Sequence, residues 1–341
     1  MSAEPTLASA AAGAAASLDR RAFGLLLLLV LIALAPWPAT LLAGLAGQAT
    51  QSVDFAAQLF FTLSTAHVGL TFFFWFERRY RPHINGRPLF FYGWPAVVTI
   101  VSLGLVLLVG GLGARIVEIG ALFWLSYHYA KQNWGLVSLS ALATGAARLP
   151  IWLKHSYVAG SIGAALGALS LMDAADPWLR LLWQLGAVIT WVSAALGLIQ
   201  ALAVVRAGTH VLNLALLATG ALFFTPIYLL GPAAGLGMIA TVHGLHYTVL
   251  MSGIGADRQQ GAPATRLFLM AGLGLGLLLL YRMLTEASWW GDKAPLMATL
   301  YLCIQMSHFI ADADLWRLSD PVQRKAIRES FPYLFAAPKP R

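Results

Sequence analysis

The chain has 341 residues, of which 59% are hydrophobic and only 11% charged, whereas an average soluble domain is about 25% charged. Together with a mean hydropathy of +0.73, this composition excludes an ordinary water-soluble globule. The net charge is +8, but the basic residues fall between apolar runs and not on one face. Membrane topology explains them better than nucleic acid, which is not expected as a partner. The single cysteine, Cys303, excludes a disulfide framework, a cysteine-rich zinc site and a cysteine-ligated iron–sulfur cluster.

Residues 1–22 are rich in Ala and Ser and predict a disordered cytoplasmic tail. Apolar runs then follow at residues 23–47, 54–76, 92–113, 116–141, 152–173, 178–204, 210–230, 232–253, 266–285 and 294–316. A membrane-spanning helix needs about 20 apolar residues. The pattern therefore predicts an all-α, polytopic membrane helical bundle of about ten transmembrane helices over residues 23–317. Only a Gly-rich turn separates the third and fourth runs, so counts of eight or nine stay open.

The loops between the runs predict which way the chain crosses the membrane. Alternate loops carry the positive charge, in Arg78, Arg79, Arg81, Arg87, Arg148, Lys154, Arg206, Arg258 and Arg266. Short cytoplasmic loops are enriched in Lys and Arg. Both termini are therefore predicted to be cytoplasmic, with residues 318–341 as a cytoplasmic or interfacial tail, in a bacterial-type inner membrane.

Five of the eight histidines are predicted to lie at one depth in the bilayer. They are His67, His128, His243, His246 and His308, and each is 11 to 14 residues from the outer start of its run. At 1.5 Å per residue this places all five roughly 17–21 Å below the outer surface. Ionisable residues inside a membrane mark a functional site by default. His83, His155 and His210 fall near the membrane surface and are expected to be surface residues.

Polar neighbours strengthen the case for a shared site. Gln132 follows His128 by four residues, and Asp312 follows His308 by the same spacing, which puts each pair on one helix face. We expect Asp312 to be a sixth or bridging metal ligand, and Gln132 to be a ligand or a hydrogen-bond donor to bound oxygen or substrate. The competing role for Asp312 is a salt bridge with Lys131. Asp314 is expected to pair with Arg317 near the cytoplasmic end.

Imidazole and carboxylate ligands without thiolate suit non-haem iron best, as one or two ions. Haem b, copper and zinc are the alternatives for the same histidines. A proton-coupled or metal-coupled transporter that uses the same His and Asp residues is the alternative to an enzyme.

Three of these stretches resemble a known family. Ala66-His67-Val68-Gly69, Tyr127-His128-Tyr129, and His243 with His246 are similar to motifs of the bacterial Brp/Blh family of membrane carotenoid dioxygenases. The resemblance implies a multi-span helical protein with histidine-ligated iron that cleaves beta-carotene to retinal.

These features together predict an iron-dependent oxygenase or oxidoreductase within the membrane. His67, His128, His243, His246 and His308 would bind the metal, together with Asp312. The expected partners are a lipophilic small-molecule substrate that arrives from the bilayer, membrane lipid and an electron-donor protein.

Overall fold

The computed structural model describes residues 18–34, 37–38, 64–146, 149–173, 175–205, 210–257 and 261–335. Within these ranges the chain forms helices and turns and no strand, which confirms the all-helical prediction. Several predicted features lie outside the described residues: most of the N-terminal tail, the start of the second apolar run, the last residues of the C-terminal tail, and Arg148, Arg206 and Arg258.

The α-helices are, in chain order, α1 Arg20–Leu34, α2 Arg81–Asn85, α3 Trp94–Val109, α4 Gly111–Ala143, α5 Ile151–Ala168, α6 Pro177–Val205, α7 Val211–Ala221, α8 Pro226–Leu230, α9 Pro232–Gly255, α10 Pro263–Thr285, α11 Ala287–Trp290, α12 Ala294–Leu315 and α13 Pro321–Ser330. Residues 64–71 are also helical, and a 3-10 turn, Phe72–Trp75, follows them. A π-helical turn, Leu89–Gly93, leads into α3.

Four helical stretches of the described chain are long and apolar enough to cross a membrane: Leu89–Val109, Pro177–Val204, Pro263–Thr285 and Ala287–Leu315. Large apolar side chains point outward from them. Leu108, for example, is 88% exposed, and Ile100, Val188 and Phe268 are also exposed. Such surfaces are unfavourable in water and suit a lipid environment. The chain is therefore a membrane protein.

The chain divides into two compact units. The first contains the described residues within 1–53, 129–235 and 331–341. Its helices α5 and α6 pack closely at Gly163 and Gly186, since a Cβ added to Gly163 would lie 2.7 Å from the Gly186 carbonyl oxygen. Small residues at a crossing let membrane helices approach each other to van der Waals contact of their backbones.

The second unit contains residues 54–128 and 236–330. Here α3 and α10 pack on α12, and Cys303 lies in an apolar cluster with Val117, Ala121, Met306 and Phe309. The helical segment 64–71 approaches α10 so closely that a Cβ on Gly69 would lie 2.4 Å from the Leu273 carbonyl oxygen. This contact requires glycine, and it places the segment deep within the unit.

Buried ion pairs tie together one end of the second unit. The Arg266 guanidinium donates to Glu77 at 2.5 Å, and Arg79 donates to Asp257 at 3.1 Å. Arg79 also reaches Glu329 on α13, at 3.8 Å. Burial of Tyr80 beside this network raises the pKa of its hydroxyl well above the usual range. The network therefore joins the turn after residues 72–75 to the ends of α9, α10 and α13.

Asp314 and His83 depart from the sequence-based expectations. Asp314 accepts from Arg87 at 2.6 Å and lies 2.5 Å from His83 Nε2, whereas the Arg317 side chain donates to Ser319. The prediction that Asp314 pairs with Arg317 is therefore wrong. His83 was expected at the surface, but its side chain is only 6% exposed, because α2 turns it toward this carboxylate.

Candidate metal centre

Four helical segments of the second unit bring the predicted histidines together. His67 lies in the helical segment 64–71, His128 in α4, His243 in α9 and His308 in α12, and all four are buried. Asp312, one turn after His308, is buried beside them. Gly244 permits this approach, since a Cβ there would lie 3.0 Å from Nδ1 of His67.

The four imidazole rings form a compact group. The centroid of the His67 ring lies 4.6 Å from that of His243 and 5.0 Å from that of His308. The centroid of the His128 ring lies 4.9 Å from that of His243 and 5.3 Å from that of His308, and its other side stacks on Phe309 at 4.5 Å. The interplanar angles between the histidine rings are between 63° and 79°, so their nitrogens converge and the rings do not stack.

The proton of His67 can be assigned from its partners. Its Nδ1 is bonded to the backbone carbonyl oxygen of Ser64. A carbonyl oxygen only accepts, so Nδ1 carries the hydrogen and Nε2 offers a lone pair. Nε2 lies 3.0 Å from Nε2 of His243. Two nitrogens bound at right angles to one ion, each at about 2.1 Å, would be separated by about the same distance.

Asp312 has an unusual set of neighbours for a buried carboxylate. Tyr247 donates to its Oδ1 at 2.9 Å, and Thr71 donates to the same oxygen at 3.2 Å. Its Oδ2 lies 3.6 Å from Nε2 of His308 and 3.9 Å from Nε2 of His128. Among the ion pairs of the described residues, its only partners are these two imidazoles. A buried carboxylate is costly unless a positive charge compensates it.

Two overlapping groups of side chains could each hold a metal ion. One is His67, His243 and His308, and the other is His128, His308 and Asp312; within each group the ligand atoms lie within 4.8 Å of one another. The second group has the two imidazoles and one carboxylate that bind non-haem iron in facial triads. The hydrogen bond from His67 to Ser64 is also typical of metal-binding imidazoles, whose other nitrogen donates to a carbonyl or carboxylate. The donor set therefore fits a transition-metal ion.

Two of the predicted site residues are not members of these groups. His246 is buried in α9 one turn after His243, but it contributes no atom to either metal-binding group of the described residues. Gln132 lies on α4 one turn after His128, in the part of that helix that belongs to the first unit. Lys131, the proposed salt-bridge partner of Asp312, has an exposed side chain.

The site also includes two residues that the sequence analysis missed. The hydroxyls of Thr71 and Tyr247 bond to each other at 2.6 Å and to Asp312. A signal was present, because Thr71 follows His67 by four residues and Tyr247 follows His243 by four. All four helical segments thus repeat the spacing of a histidine and a polar residue one turn later.

No protein-family model matches this chain, and no curated protein or solved structure gives a significant match. The resemblance to membrane carotenoid dioxygenases therefore stays a prediction. The function has to be inferred from the chemistry of the site.

Proposed function

We propose that this chain is an integral-membrane metalloprotein, a non-haem iron oxidoreductase or oxygenase that acts on a lipophilic substrate. The observation that carries the proposal is the buried group of His128, His308 and Asp312. Two imidazoles and one carboxylate form the donor set of the iron oxygenases that keep open coordination positions. Iron held in this way supplies the chemistry of dioxygen activation.

The rest of the donor set supports iron over other metals. His67 and His243 add imidazoles next to the triad: the centroid of the His67 ring lies 5.0 Å from that of His308, and the centroid of the His243 ring lies 4.9 Å from that of His128. The only thiol, Cys303, packs against apolar side chains, so it supports neither a cysteine-rich zinc site nor a blue-copper site. Ca²⁺ and Mg²⁺ prefer oxygen ligands, and the imidazoles here outnumber the carboxylates.

The spacing of the rings argues against the haem alternative. A haem with two histidine ligands holds them on opposite faces of the porphyrin. The rings in contact here have centroids between 4.6 and 5.3 Å apart, and this leaves no gap for a macrocycle between them.

The surroundings of the site support a lipophilic substrate. The second unit carries three of the four apolar helical stretches, and two of them, Leu89–Val109 and Pro263–Thr285, expose large aliphatic side chains. A substrate dissolved in the bilayer would approach laterally between such helices, and the apolar walls would exclude water. The full topology that goes with this proposal has about ten spans, both termini in the cytoplasm and a location in a bacterial inner membrane, with an electron-donor protein as partner.

Metal analysis of the purified protein tests the proposal. We expect roughly one iron per chain, an optical spectrum without an intense Soret band, and loss of iron on substitution of His128. An intense Soret band would identify haem. Absence of any bound metal after growth with iron would overturn the proposal in favour of a transporter.

A further inference from the structure

The Thr71 hydroxyl contacts three polar groups of the candidate site. Its Oγ1 lies 2.5 Å from Nδ1 of His308, 2.6 Å from the Tyr247 hydroxyl and 3.2 Å from Oδ1 of Asp312. Thr71 is completely buried, as is His308. A hydroxyl has one hydrogen to donate and two lone pairs that accept. The three contacts therefore restrict where each hydrogen lies.

Asp312 determines the direction of these bonds. Both the Tyr247 and the Thr71 hydroxyls donate to its Oδ1, at 2.9 Å and 3.2 Å, and this carboxyl oxygen accepts both bonds. The favoured arrangement thus sends the Tyr247 hydrogen to Oδ1, and the Thr71 hydrogen to Oδ1 or to the Tyr247 oxygen. In both cases the Thr71 oxygen has no hydrogen left for His308. Nδ1 of His308 must then be the donor.

This assignment leaves Nε2 of His308 with its lone pair. That nitrogen is buried and has no hydrogen-bond partner among the described residues, and it lies 3.6 Å from Oδ2 of Asp312. His308 belongs to both metal-binding groups. We propose that Thr71 is a positioning residue that holds His308 in the Nδ1–H tautomer, so that Nε2 is ready to bind metal. The Ser64 carbonyl does the same for His67.

This inference rests on the proposed function, because holding the tautomer matters only if His308 binds a metal. The tautomer itself can be measured in protein without metal. If Thr71 is replaced by Val, Nδ1 loses its acceptor, and the Nε2–H tautomer gains one in Oδ2 of Asp312. The hydrogen would then occupy the nitrogen that a metal needs. Thr71→Val should therefore change the tautomer of His308 in metal-free protein and lower metal affinity by about 10- to 100-fold, the usual effect of removing a ligand's outer partner.

Thr65→Val is the matched control. Thr65 lies in the same helical segment, is also buried, and bonds to the Tyr301 hydroxyl at 2.8 Å. It thus resembles Thr71 in its burial and in having a tyrosine hydroxyl as partner, but that tyrosine, Tyr301, lies outside both metal-binding groups. Thr71→Ser keeps the hydroxyl and should behave as the wild type.

The test is ¹⁵N NMR of the full chain, with histidines labelled, in lipid nanodiscs without metal, and the His308 signal is assigned by its loss in His308→Gln. We expect Nδ1–H at His308 in the wild type, Thr71→Ser and Thr65→Val, and Nε2–H in Thr71→Val. Fe²⁺ titration should show weaker binding in Thr71→Val alone.

An Nε2–H tautomer in the wild type would overturn the inference without any variant, so it stays testable even if Thr71→Val does not fold. An unchanged tautomer in folded Thr71→Val would also overturn it. If the tautomers behave as expected but the wild type binds no metal, the positioning role of Thr71 stands and the proposed function fails.

Discussion

Two carboxylates on α12 lie only two residues apart and have opposite surroundings. Asp314 accepts from the Arg87 guanidinium at 2.6 Å and contacts His83, so its charge is compensated within the chain. Within the described ranges, Asp312 accepts from the hydroxyls of Thr71 and Tyr247, and its ion-pair partners are imidazoles. Two residues correspond to about 200° around a helix, which turns the two side chains to different neighbours.

The second unit contains two buried polar regions, the ion-pair network around Glu77 and the candidate metal centre, and their carboxylates differ in the same way. In the ion-pair network each buried carboxylate has a guanidinium partner, as Glu77 has Arg266. In the metal centre the Asp312 carboxylate lies beside the imidazoles of His128 and His308, which can be neutral. A carboxylate that is already paired with a guanidinium has no need of a further cation and contributes to stability. The Asp312 carboxylate lies beside imidazoles and has no such partner among the described residues, so it attracts a metal cation. The first region is therefore expected to govern stability and the second to govern metal binding.

The largest expected effect is the loss of metal from His308→Ala. His308 contributes to both metal-binding groups, so its removal leaves neither group complete. We expect folded protein without bound metal, measured by elemental analysis after purification. His155→Ala is the control, because His155 is an exposed residue of the first unit. Equal metal contents in the two variants would refute the shared site.

Arg266→Met should lower the stability of the fold and leave metal binding unchanged. It removes the guanidinium that donates to Glu77 at 2.5 Å and leaves this buried carboxylate with the more distant Arg79 guanidinium, at 3.8 Å. The free energy of unfolding should therefore fall by up to about 3–5 kcal/mol, the usual cost of breaking a buried ion pair. The measurement is the free energy of unfolding in detergent, together with the metal content of the folded fraction. Arg282→Met, near the other end of α10 where the side chain is exposed, should unfold like the wild type. A loss of metal in folded Arg266→Met would contradict the division between the regions.

Asp312→Asn keeps the volume of the side chain and removes its charge. Metal affinity should fall tenfold or more, with little loss of stability, because a neutral amide is easier to bury than a carboxylate. Asp314→Asn on the same helix should do the reverse, since Arg87 and His83 lose a charged partner while the imidazoles of the metal-binding groups are untouched. Metal titrations and thermal unfolding of both variants measure the difference. Retained metal with lowered thermal stability in Asp312→Asn would show that Asp312 is a structural charge.

His246→Ala tests the one predicted histidine that belongs to neither group. We expect metal affinity to change by less than about tenfold, the lower limit for losing even an outer partner of a ligand. A loss as complete as that of His308→Ala would make His246 a ligand, as the sequence analysis predicts.

The smallest effect concerns Asp320, which precedes α13. Its Oδ1 accepts from the backbone N–H of Val322 at 2.8 Å, and this bond lowers the pKa of the carboxyl. A lowered pKa in the folded state means that the contribution to stability is present at neutral pH and is lost as the pH falls through that pKa. The rate of amide hydrogen exchange within α13 should therefore increase more in the wild type than in Asp320→Asn as the pH is lowered, because the Asn side chain does not ionise. Identical pH profiles would exclude this role.

Much of this arrangement could be predicted from the sequence, and the exceptions have identifiable causes. His67, His128, His243, His308 and Asp312 were chosen because ionisable groups are rare in membrane helices. Thr71 and Tyr247 were missed because hydroxyls are common there and cost little to bury. His83 was misplaced because a histidine in a basic loop gives no sign of the carboxylate, over two hundred positions away in the chain, that it contacts.

By itself, the sequence determined that the chain is helical and that it belongs in a membrane, and it predicts one depth for five of the histidines. Depth can be counted along a helix because every residue advances the axis by the same 1.5 Å. Only the tertiary structure decided which side of each helix faces the others, and with it the contacts of Thr71 and Tyr247 with Asp312 and the membership of the two metal-binding groups, which does not include His246. The physical reason is that rotation about the helix axis is set by contacts between helices, such as the close approach at Gly69 and Gly244, and these depend on residues distant in the chain.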